Sequence, residues 1–178
     1  MQLRPHQKRT VIIVEERSTK EYRAGVGMMV LNAHNQVLLC RRATIPIGWQ
    51  MPQGGINEGE EPRTAALREL KEEIGTSNVD ILKEAKDWRH YDLPADLARQ
   101  SWDGRYAGQR HKWYLMRFRG HDAEIDLISK HPEFDAWMWA LPDHVPNLVV
   151  AFKQAMYMSV LQEFREAIRS LPRPAMKL

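Results

Sequence analysis

The sequence predicts an α/β domain, with a β-sheet covered by helices on both sides, and three observations support this fold class. Several runs have the composition or alternation of β-strands, two segments have the spacing of amphipathic helices, and no Gly/Ser/Pro-rich linker divides the 178 residues. A chain of this length buries an adequate core as one domain. We therefore expect a single domain over residues 1–170 and a flexible tail over residues 171–178.

The strands are predicted from short runs that are rich in β-branched and aromatic residues. In chain order they are TVIIVEE, GVGMMVLN, QVLLCRR, VDILKEAKDW, HKWYLMRFRG and FDAWMWA. The residues NAHN between the second and third runs favour a hairpin turn. In the fifth run, Trp113 and Leu115 fall on one face while Tyr114 and Met116 fall on the other, which is the period of a strand.

Two helices are predicted from apolar residues at helical spacing. The first begins near Pro62, a residue suited to the first helical position, and ends at Gly75, a good left-handed terminator. Its apolar stripe is formed by Ala66, Leu67, Leu70 and Ile74. The second helix runs from about Asn147 to Ile168 and has an apolar residue at every fourth position: Phe152, Met156, Val160 and Phe164.

Composition limits the classes of protein to which the chain can belong. A single cysteine, Cys40, excludes a disulfide framework, and its apolar neighbours predict a buried side chain in a reducing compartment. The apolar run VIIV is too short for the core of a signal peptide, and no later run is long enough to cross a membrane. We expect a soluble, cytoplasmic protein. The net charge of +3 is compatible with a polyanionic ligand but does not identify one.

Three glutamates crowd the last turns of the first predicted helix. Glu69, Glu72 and Glu73 stand at positions i, i+3 and i+4, so like charges lie on one face at the end of the helix that disfavours negative charge. Such a cluster can be a solvated surface relieved by Arg68 and Lys71, or it can contain a protonated carboxylate. It can also bind a hard divalent cation, because carboxylate oxygens suit Mg²⁺ or Mn²⁺. Charge alone leaves these three interpretations open.

The spacing around these glutamates resembles the signature of the Nudix hydrolases. From Gly54 there are five residues, then Glu60, seven more, and then Arg68-Glu69-Leu70, Lys71, Glu72-Glu73, Ile74 and Gly75. Thr76 replaces the aliphatic residue that ends the signature, at a position that carries no chemistry. Within residues 54–76 the match is specific, and it favours the cation-binding interpretation over a merely solvated acidic face.

The resemblance implies a Nudix-type α/β/α sandwich with a mixed sheet, and it implies roles for the signature residues. By this resemblance Glu69, Glu72 and Glu73 are metal ligands or water activators, and Gly54 offers its backbone to the metal site. The family's arginine, here Arg68, pairs with the upstream glutamate, here Glu60, and braces the loop. Gly54 and Gly55 leave room for metal and phosphates. The expected cofactor is a divalent ion, Mg²⁺ first and Mn²⁺ second.

Flanking segments narrow the resemblance to one group of the family. The runs RRATIPIGWQMPQGG, WRHYDLP, GQRHKWYLMRF, GHDAEIDL, HPEFDAWMW and VVAFKQAMYMSVLQEF look like those of bacterial RNA pyrophosphohydrolases and dinucleoside polyphosphate hydrolases, from about Arg23 to Phe164. That likeness implies that Glu124 is a fourth acidic ligand or the general base, although alone it reads as a surface acid. Expected substrate-binding residues are Arg42, Tyr91, Gln109, Lys112, Phe152 and Lys153, with Phe152 stacking on a base.

The expected reaction is removal of pyrophosphate from the 5′-triphosphate end of RNA by a metal-activated water, with Glu72 or Glu124 as general base. This would leave a 5′-monophosphate and start the degradation of the transcript. Diadenosine polyphosphates or free nucleoside triphosphates are the alternative substrates, and a metal-dependent binding module without turnover is the third hypothesis. The expected partners are 5′-triphosphorylated RNA or a dinucleoside polyphosphate, without a membrane, and the sequence points to no obligate protein partner.

Overall fold

A mixed β-sheet forms the centre of the computed structural model, which describes residues 21–42, 48–128 and 132–172. Within these residues the strands are β1 (Glu21–Leu31), β2 (Val37–Arg42), β3 (Trp49–Gln50), β4 (Gln53–Gly55), β5 (Val79–Glu84), β6 (Arg89–Asp92), β7 (Tyr106–Phe118) and β8 (Phe134–Ala140). The α-helices are α1 (Pro62–Ile74), α2 (Ala95–Gln100), α3 (Val145–Leu148) and α4 (Ala151–Ser170). Short 3₁₀ turns lie at Trp102–Gly104, Asp122–Glu124 and Pro142–His144.

The two longest strands, β1 and β7, run parallel at the middle of the sheet, and the other pairings are antiparallel. The strand order is β3-β2-β1-β7-β5, while β4 pairs with β1, β6 with β7 and β8 with β2. Because β4 pairs with residues 25–27 of β1 and β6 with residues 108–111 of β7, the two short strands lie near the same end of the central pair.

Each face of the sheet packs against one long helix. Trp113 and Leu115 of β7 belong to the core beneath α4, and Tyr114 and Met116 belong to the core beneath α1. The predicted alternation and the predicted layers of helix, sheet and helix are therefore confirmed. Cys40 is fully buried in the second core, as expected.

Helix α1 has the predicted limits. Gly75 ends it in the left-handed conformation, with φ 78°, and donates its N–H to Lys71 O at 3.0 Å. The buried stripe differs slightly from the prediction, because Leu67 is only half-buried whereas Glu73 is buried. A carboxylate thus occupies a position in the helix where an apolar side chain is usual.

The second predicted helix is wrong at its start. The segment divides into α3 and α4, and between them Val149 is extended, with φ −88° and ψ 159°. Val149 forms a parallel bridge with Trp49, which draws the backbone out of the helix. Strand β6 and helix α2 were not predicted, and β7 begins at Tyr106, before the predicted run.

Two predictions at the ends of the chain lie wholly or partly outside the described residues. The predicted strand TVIIVEE falls within residues 1–20, and residues 173–178 make up most of the predicted tail. Leu171, the first residue of that tail, is partly buried and packs against the core beneath α4. Among the helices of the described ranges, none is long and apolar enough to span a membrane.

Candidate active site

A cavity of about 520 Å³ opens near the end of the sheet where β4 and β6 lie. It has an acidic side and a basic side. On the acidic side, Glu69 and Glu133 line the cavity beside Gly54 and Gly55. The basic side, which also carries the aromatic rings, is formed by Arg23, Arg42, Tyr91, Phe152 and Lys153.

Two glycines allow side chains to approach the backbone of β4 closely. A Cβ atom on Gly54 would collide with the carboxylate of Glu69, and a Cβ atom on Gly55 would collide with the guanidinium of Arg23. The glycines therefore let an acidic and a basic side chain lie directly against the strand. These contacts explain why glycine is needed at both positions, while the predicted place of Gly54 and Gly55 beside metal and phosphates stays a prediction.

Arg68 braces the loop against helix α1. Its Nε and Nη2 atoms donate to the two carboxylate oxygens of Glu60 at 2.8 and 2.7 Å, and Nη2 also donates to Gly55 O at 3.0 Å. The bidentate bond to Arg68, helped by the backbone N–H of Asn57, lowers the pKa of Glu60 to about 2. The pairing that the resemblance implied is present in the fold.

Glu73 is the most buried carboxylate near the cavity. It is 9% exposed and accepts a hydrogen bond from the backbone N–H of Gln53 at 3.0 Å. Burial, and then the charges of Glu133 and Glu69, raise its pKa well above 4.5. Burial also raises the pKa of Glu69, against the opposing effect of Arg68. The charged forms of Glu73 and Glu69 are therefore disfavoured in the folded protein.

The donor set around this cluster fits a hard divalent cation, because it consists of oxygen atoms only. Glu69 and Glu72 now pair with Nη1 of Arg68 at 2.8 and 3.2 Å. Within the ranges 21–42, 48–128 and 132–172, no three acidic, His or Cys side chains converge as metal ligands.

The two acids outside the signature occupy different places. Glu124 accepts hydrogen bonds from the backbone N–H of His121 at 3.0 Å and from Asn78 Nδ2 at 3.2 Å, and these bonds lower its pKa. It caps a 3₁₀ turn and does not line the cavity, so its predicted role in metal binding or catalysis stays a prediction.

Glu133 is the acid that sequence reasoning missed. It lines the cavity, pairs with Arg42 Nη2 at 3.3 Å and raises the pKa of Glu73. Its place follows from the strand register, in which Arg42 of β2 is opposite Phe134 of β8. Glu133 lies in the run HPEFDAWMW, but the sequence of this run does not show toward which side of the sheet its carboxylate is directed.

The basic side holds a buried amine next to aromatic rings. Lys153 is 4% exposed, donates to Gln50 Oε1 at 2.9 Å and lies 5.1 Å from the centre of the Tyr91 ring. Burial, and then the positive charge of Arg42, lower its pKa to about 7. The rings of Tyr91 and Phe152 are 5.7 Å apart, and Phe152 both lines the cavity and packs against the core.

The structure brings together all but one of the predicted substrate-binding residues. The residues that line the cavity are Arg42, Tyr91, Gln109, Phe152 and Lys153. Lys112 does not line it, since its Nζ atom bonds to Glu84 Oε1 at 3.0 Å and to Lys86 O at 3.3 Å. Lys112 lies three positions after Gln109 on β7, so the two side chains leave opposite faces of the strand.

Further lining residues come from segments that the sequence did not single out. Arg23 of β1 lies 5.1 Å from the centre of the Trp102 ring, and both line the cavity with Leu93, Leu97 and Ser101. The side of the cavity around α2 carries no motif in the sequence. Only the folded arrangement identifies it.

Comparisons with known proteins agree on one family. The family model described as NUDIX domain matches residues 21–159. An RNA pyrophosphohydrolase of Rhodospirillum rubrum is 51% identical over 154 residues, which is 86% of this chain and 92% of that protein. The RNA pyrophosphohydrolase of Rickettsia bellii is 45% identical over 149 residues, which is 83% of this chain and 92% of that protein.

Solved structures show the same fold at low sequence identity. A C. elegans Ap4A hydrolase in a binary complex has a TM-score of 0.64 and 20% identity, and the match covers 84% of this chain and 99% of that one. The E. coli dihydroneopterin triphosphate pyrophosphohydrolase has a TM-score of 0.60 and 19% identity, and the match covers 80% of this chain and 99% of that one. The predicted α/β class is confirmed.

Proposed function

The chain belongs to the NUDIX domain family, whose hydrolases use divalent metal ions, and on this premise we propose that it is an RNA 5′-pyrophosphohydrolase. The reaction cleaves the bond between the α-phosphorus and the oxygen that bridges it to the β-phosphate of a 5′-triphosphorylated RNA. Water forms the new bond to phosphorus. The products are pyrophosphate and an RNA that begins with a 5′-monophosphate.

The observation that carries this proposal is the joining of acidic and basic sides in one cavity of about 520 Å³. A 5′-triphosphate end presents both polyanionic oxygens and a nucleotide base. Arg23, Arg42 and Lys153 supply positive charge for phosphate oxygens. Tyr91 and Phe152 supply ring faces against which a base can stack. The relatives that are 51% and 45% identical over most of their length support RNA as the substrate class.

On the acidic side we assign Glu69, Glu72, Glu73 and Glu133 to the divalent ion, Mg²⁺ first and Mn²⁺ second, with the backbone of Gly54 beside them. When bound, the ion neutralises phosphate oxygens and lowers the pKa of a water molecule. Glu72 and Glu133 are our candidates for accepting the proton of the attacking water, and we place Glu124, the other candidate predicted from the sequence, after them because it does not line the cavity. We retain the predicted cytoplasmic location, where transcripts are degraded.

A substrate panel tests the proposal. The purified protein is incubated with Mg²⁺ and 5′-triphosphorylated RNA, and in parallel with diadenosine tetraphosphate and the four nucleoside triphosphates. We expect pyrophosphate release and a 5′-monophosphate RNA at the highest kcat/KM of the panel. Preferred cleavage of the dinucleotide or of free triphosphates would overturn the choice of substrate, and binding without any cleavage would favour a non-catalytic module.

A further inference from the structure

Gln109 lines the cavity, and its amide oxygen already accepts hydrogen bonds from neighbouring side chains. The hydroxyl of Tyr91 donates to Gln109 Oε1, and Gln53 Nε2 donates to the same oxygen at 3.4 Å. The ring nitrogen Nε2 of His111 lies 3.2 Å from that oxygen. Two donors, the Tyr91 hydroxyl and Gln53 Nε2, thus meet this oxygen, and they indicate which end of the Gln109 amide is the oxygen.

His111 is a buried side chain whose chemistry the proposed reaction does not use. It is 1% exposed, and its Nδ1 atom is buried without a hydrogen-bond partner among the residues that the structure describes. A proton on Nδ1 would be a buried donor without an acceptor, whereas a proton on Nε2 meets Gln109 Oε1. The surroundings therefore select the neutral tautomer that carries its proton on Nε2.

Charge at the site reinforces this choice. Burial, and then the neighbouring charges of Lys153 and Arg23, lower the pKa of His111 to about 3. A neutral ring has one donor and one acceptor nitrogen, so the donor role of Nε2 persists over the whole range in which a cytoplasmic enzyme works.

We propose that His111 is a positioning residue that, through its Nε2–H, holds the Gln109 amide so that its NH₂ group faces the substrate. This inference rests on the proposed function, because the acceptor in the cavity is then a phosphate oxygen of the RNA 5′ end. Within the described residues, Gln109 Nε2 has no hydrogen bond to protein and is not among the buried atoms that lack a partner. An amide that flipped would present its oxygen to phosphate and repel it.

A series of hydrogen bonds leads from Tyr157 through Gln53 to Gln109, and in each step the earlier residue of the series is the donor. Tyr157 is fully buried, and its hydroxyl donates to Gln53 Oε1 at 3.4 Å while it accepts the backbone N–H of Met51 at 3.2 Å. Gln53 then has its own NH₂ group directed at Gln109. Each amide is oriented by the donor behind it, and the last free donors of the series belong to Gln109 at the cavity.

A double-mutant cycle tests the inference. His111→Phe keeps a ring in the same space but removes the donor, His111→Gln keeps an N–H donor on a chain of similar reach, and Gln109→Leu removes the amide. We expect His111→Phe to raise KM for 5′-triphosphorylated RNA about tenfold, with a smaller change in kcat. This is the size expected if the Gln109 amide loses its hydrogen bond to a charged phosphate oxygen. His111→Gln should restore KM to within about threefold.

In the Gln109→Leu background, His111→Phe should have no further effect on KM. An undiminished effect there, or no effect in the wild-type background, would overturn the inference, as would a failure of His111→Gln to restore KM. Thermal unfolding of each variant separates these results from a loss of folded protein.

A second readout does not depend on turnover. In the ¹⁵N NMR spectrum of the wild-type protein, the ring of His111 should be neutral with its proton on Nε2 from about pH 5 to about pH 8. A proton on Nδ1, or titration of the ring in that range, would overturn the inference whether or not the protein hydrolyses RNA. Absence of pyrophosphate release together with the expected tautomer would instead count against the proposed function alone.

Discussion

The acidic and basic sides of the cavity are built from the chain in opposite ways. The acidic side comes mainly from one continuous segment, β4 to the end of α1, with Glu133 added from the residue before β8. The basic side is assembled from β1, β2, β6 and α4, which are far apart in the sequence. The acidic side therefore has a local signature that can be read, and the basic side exists only after folding.

The two sides also differ in the sign of the charge that they bury. Burial, and then the charges of Glu133 and Glu69, raise the pKa of Glu73, so its charged form destabilises the fold. On the basic side, burial and then the charge of Arg42 lower the pKa of Lys153, whose amine donates to Gln50 and lies over the ring of Tyr91. Removal of charge from the acidic side should therefore abolish activity without loss of stability, and this contrast leads to the predictions below.

The largest effect is expected from Glu73→Gln. The variant keeps an oxygen that can accept the N–H of Gln53 but loses the buried charge, so turnover should fall at least about 100-fold. The measurement is pyrophosphate release from 5′-triphosphorylated RNA in Mg²⁺. Glu58→Gln, in the exposed loop before α1, is the matched control and should be indistinguishable from the wild type. If Glu73→Gln kept full turnover, the charge of Glu73 would not be needed for the reaction, and the proposed role of the acidic side would be wrong.

Glu133→Gln and Glu124→Gln distinguish the two acids outside the signature. Glu133 lines the cavity whereas Glu124 caps a turn, so we expect a loss in kcat of about 100-fold for Glu133→Gln and less than about threefold for Glu124→Gln. The same assay of pyrophosphate release measures both. The reverse order of effects would favour Glu124 over Glu133 as the ligand or general base.

Phe152→Ala tests the aromatic part of the basic side. Loss of a stacking ring should raise KM for the RNA about tenfold and leave kcat within about threefold. Met158→Ala, an exposed apolar position on the same helix, serves as the control. A fall in kcat with KM unchanged would show that Phe152 acts through the core and not through the substrate.

The pH dependence of stability gives a smaller but distinctive effect. A carboxyl whose pKa is raised in the folded state stabilises the fold below the unfolded value of 4.5, and this contribution is lost as pH rises through the raised pKa. In EDTA, Glu73→Gln should therefore be more stable than the wild type near pH 8, by about 1 kcal/mol, which corresponds to about 2–4 °C in Tm. The difference should disappear near pH 4.5, and a difference that is constant with pH would contradict the assignment.

The smallest effect is expected from Lys112→Ala. Its amine is held by Glu84 and by Lys86 O on the sheet face opposite to Gln109, so kcat/KM should change less than about threefold. Glu84→Gln, which removes the partner, should behave in the same way. A tenfold loss for Lys112→Ala alone would restore the predicted substrate role.

The sequence predicted correctly the features that depend on one continuous segment, and it missed features that depend on contacts between distant segments. The limits of α1, the pairing of Arg68 with Glu60 and the two faces of β7 depend on spacing along one segment, and the structure contains all three. The position of Glu133 depends on the register between β2 and β8, which no single segment encodes.

Other errors have equally specific physical causes. The break between α3 and α4 depends on the bridge from Val149 to Trp49, a residue distant in the sequence. Strand alternation already puts Gln109 and Lys112 on opposite faces, so the sequence itself argued against placing both in one cavity, and the substrate role of Lys112 stays a prediction.

Thermal unfolding of the wild type and of Glu73→Gln, with and without Mn²⁺, tests most directly the claim that a divalent cation offsets the repulsion of the acidic side. We predict that Mn²⁺ raises the Tm of the wild type by several degrees, about what binding at 100 times Kd provides. The variant should have a Tm equal to or above that of the metal-free wild type at neutral pH and should gain little from Mn²⁺. An equal rise in both proteins, or in neither, would contradict the account.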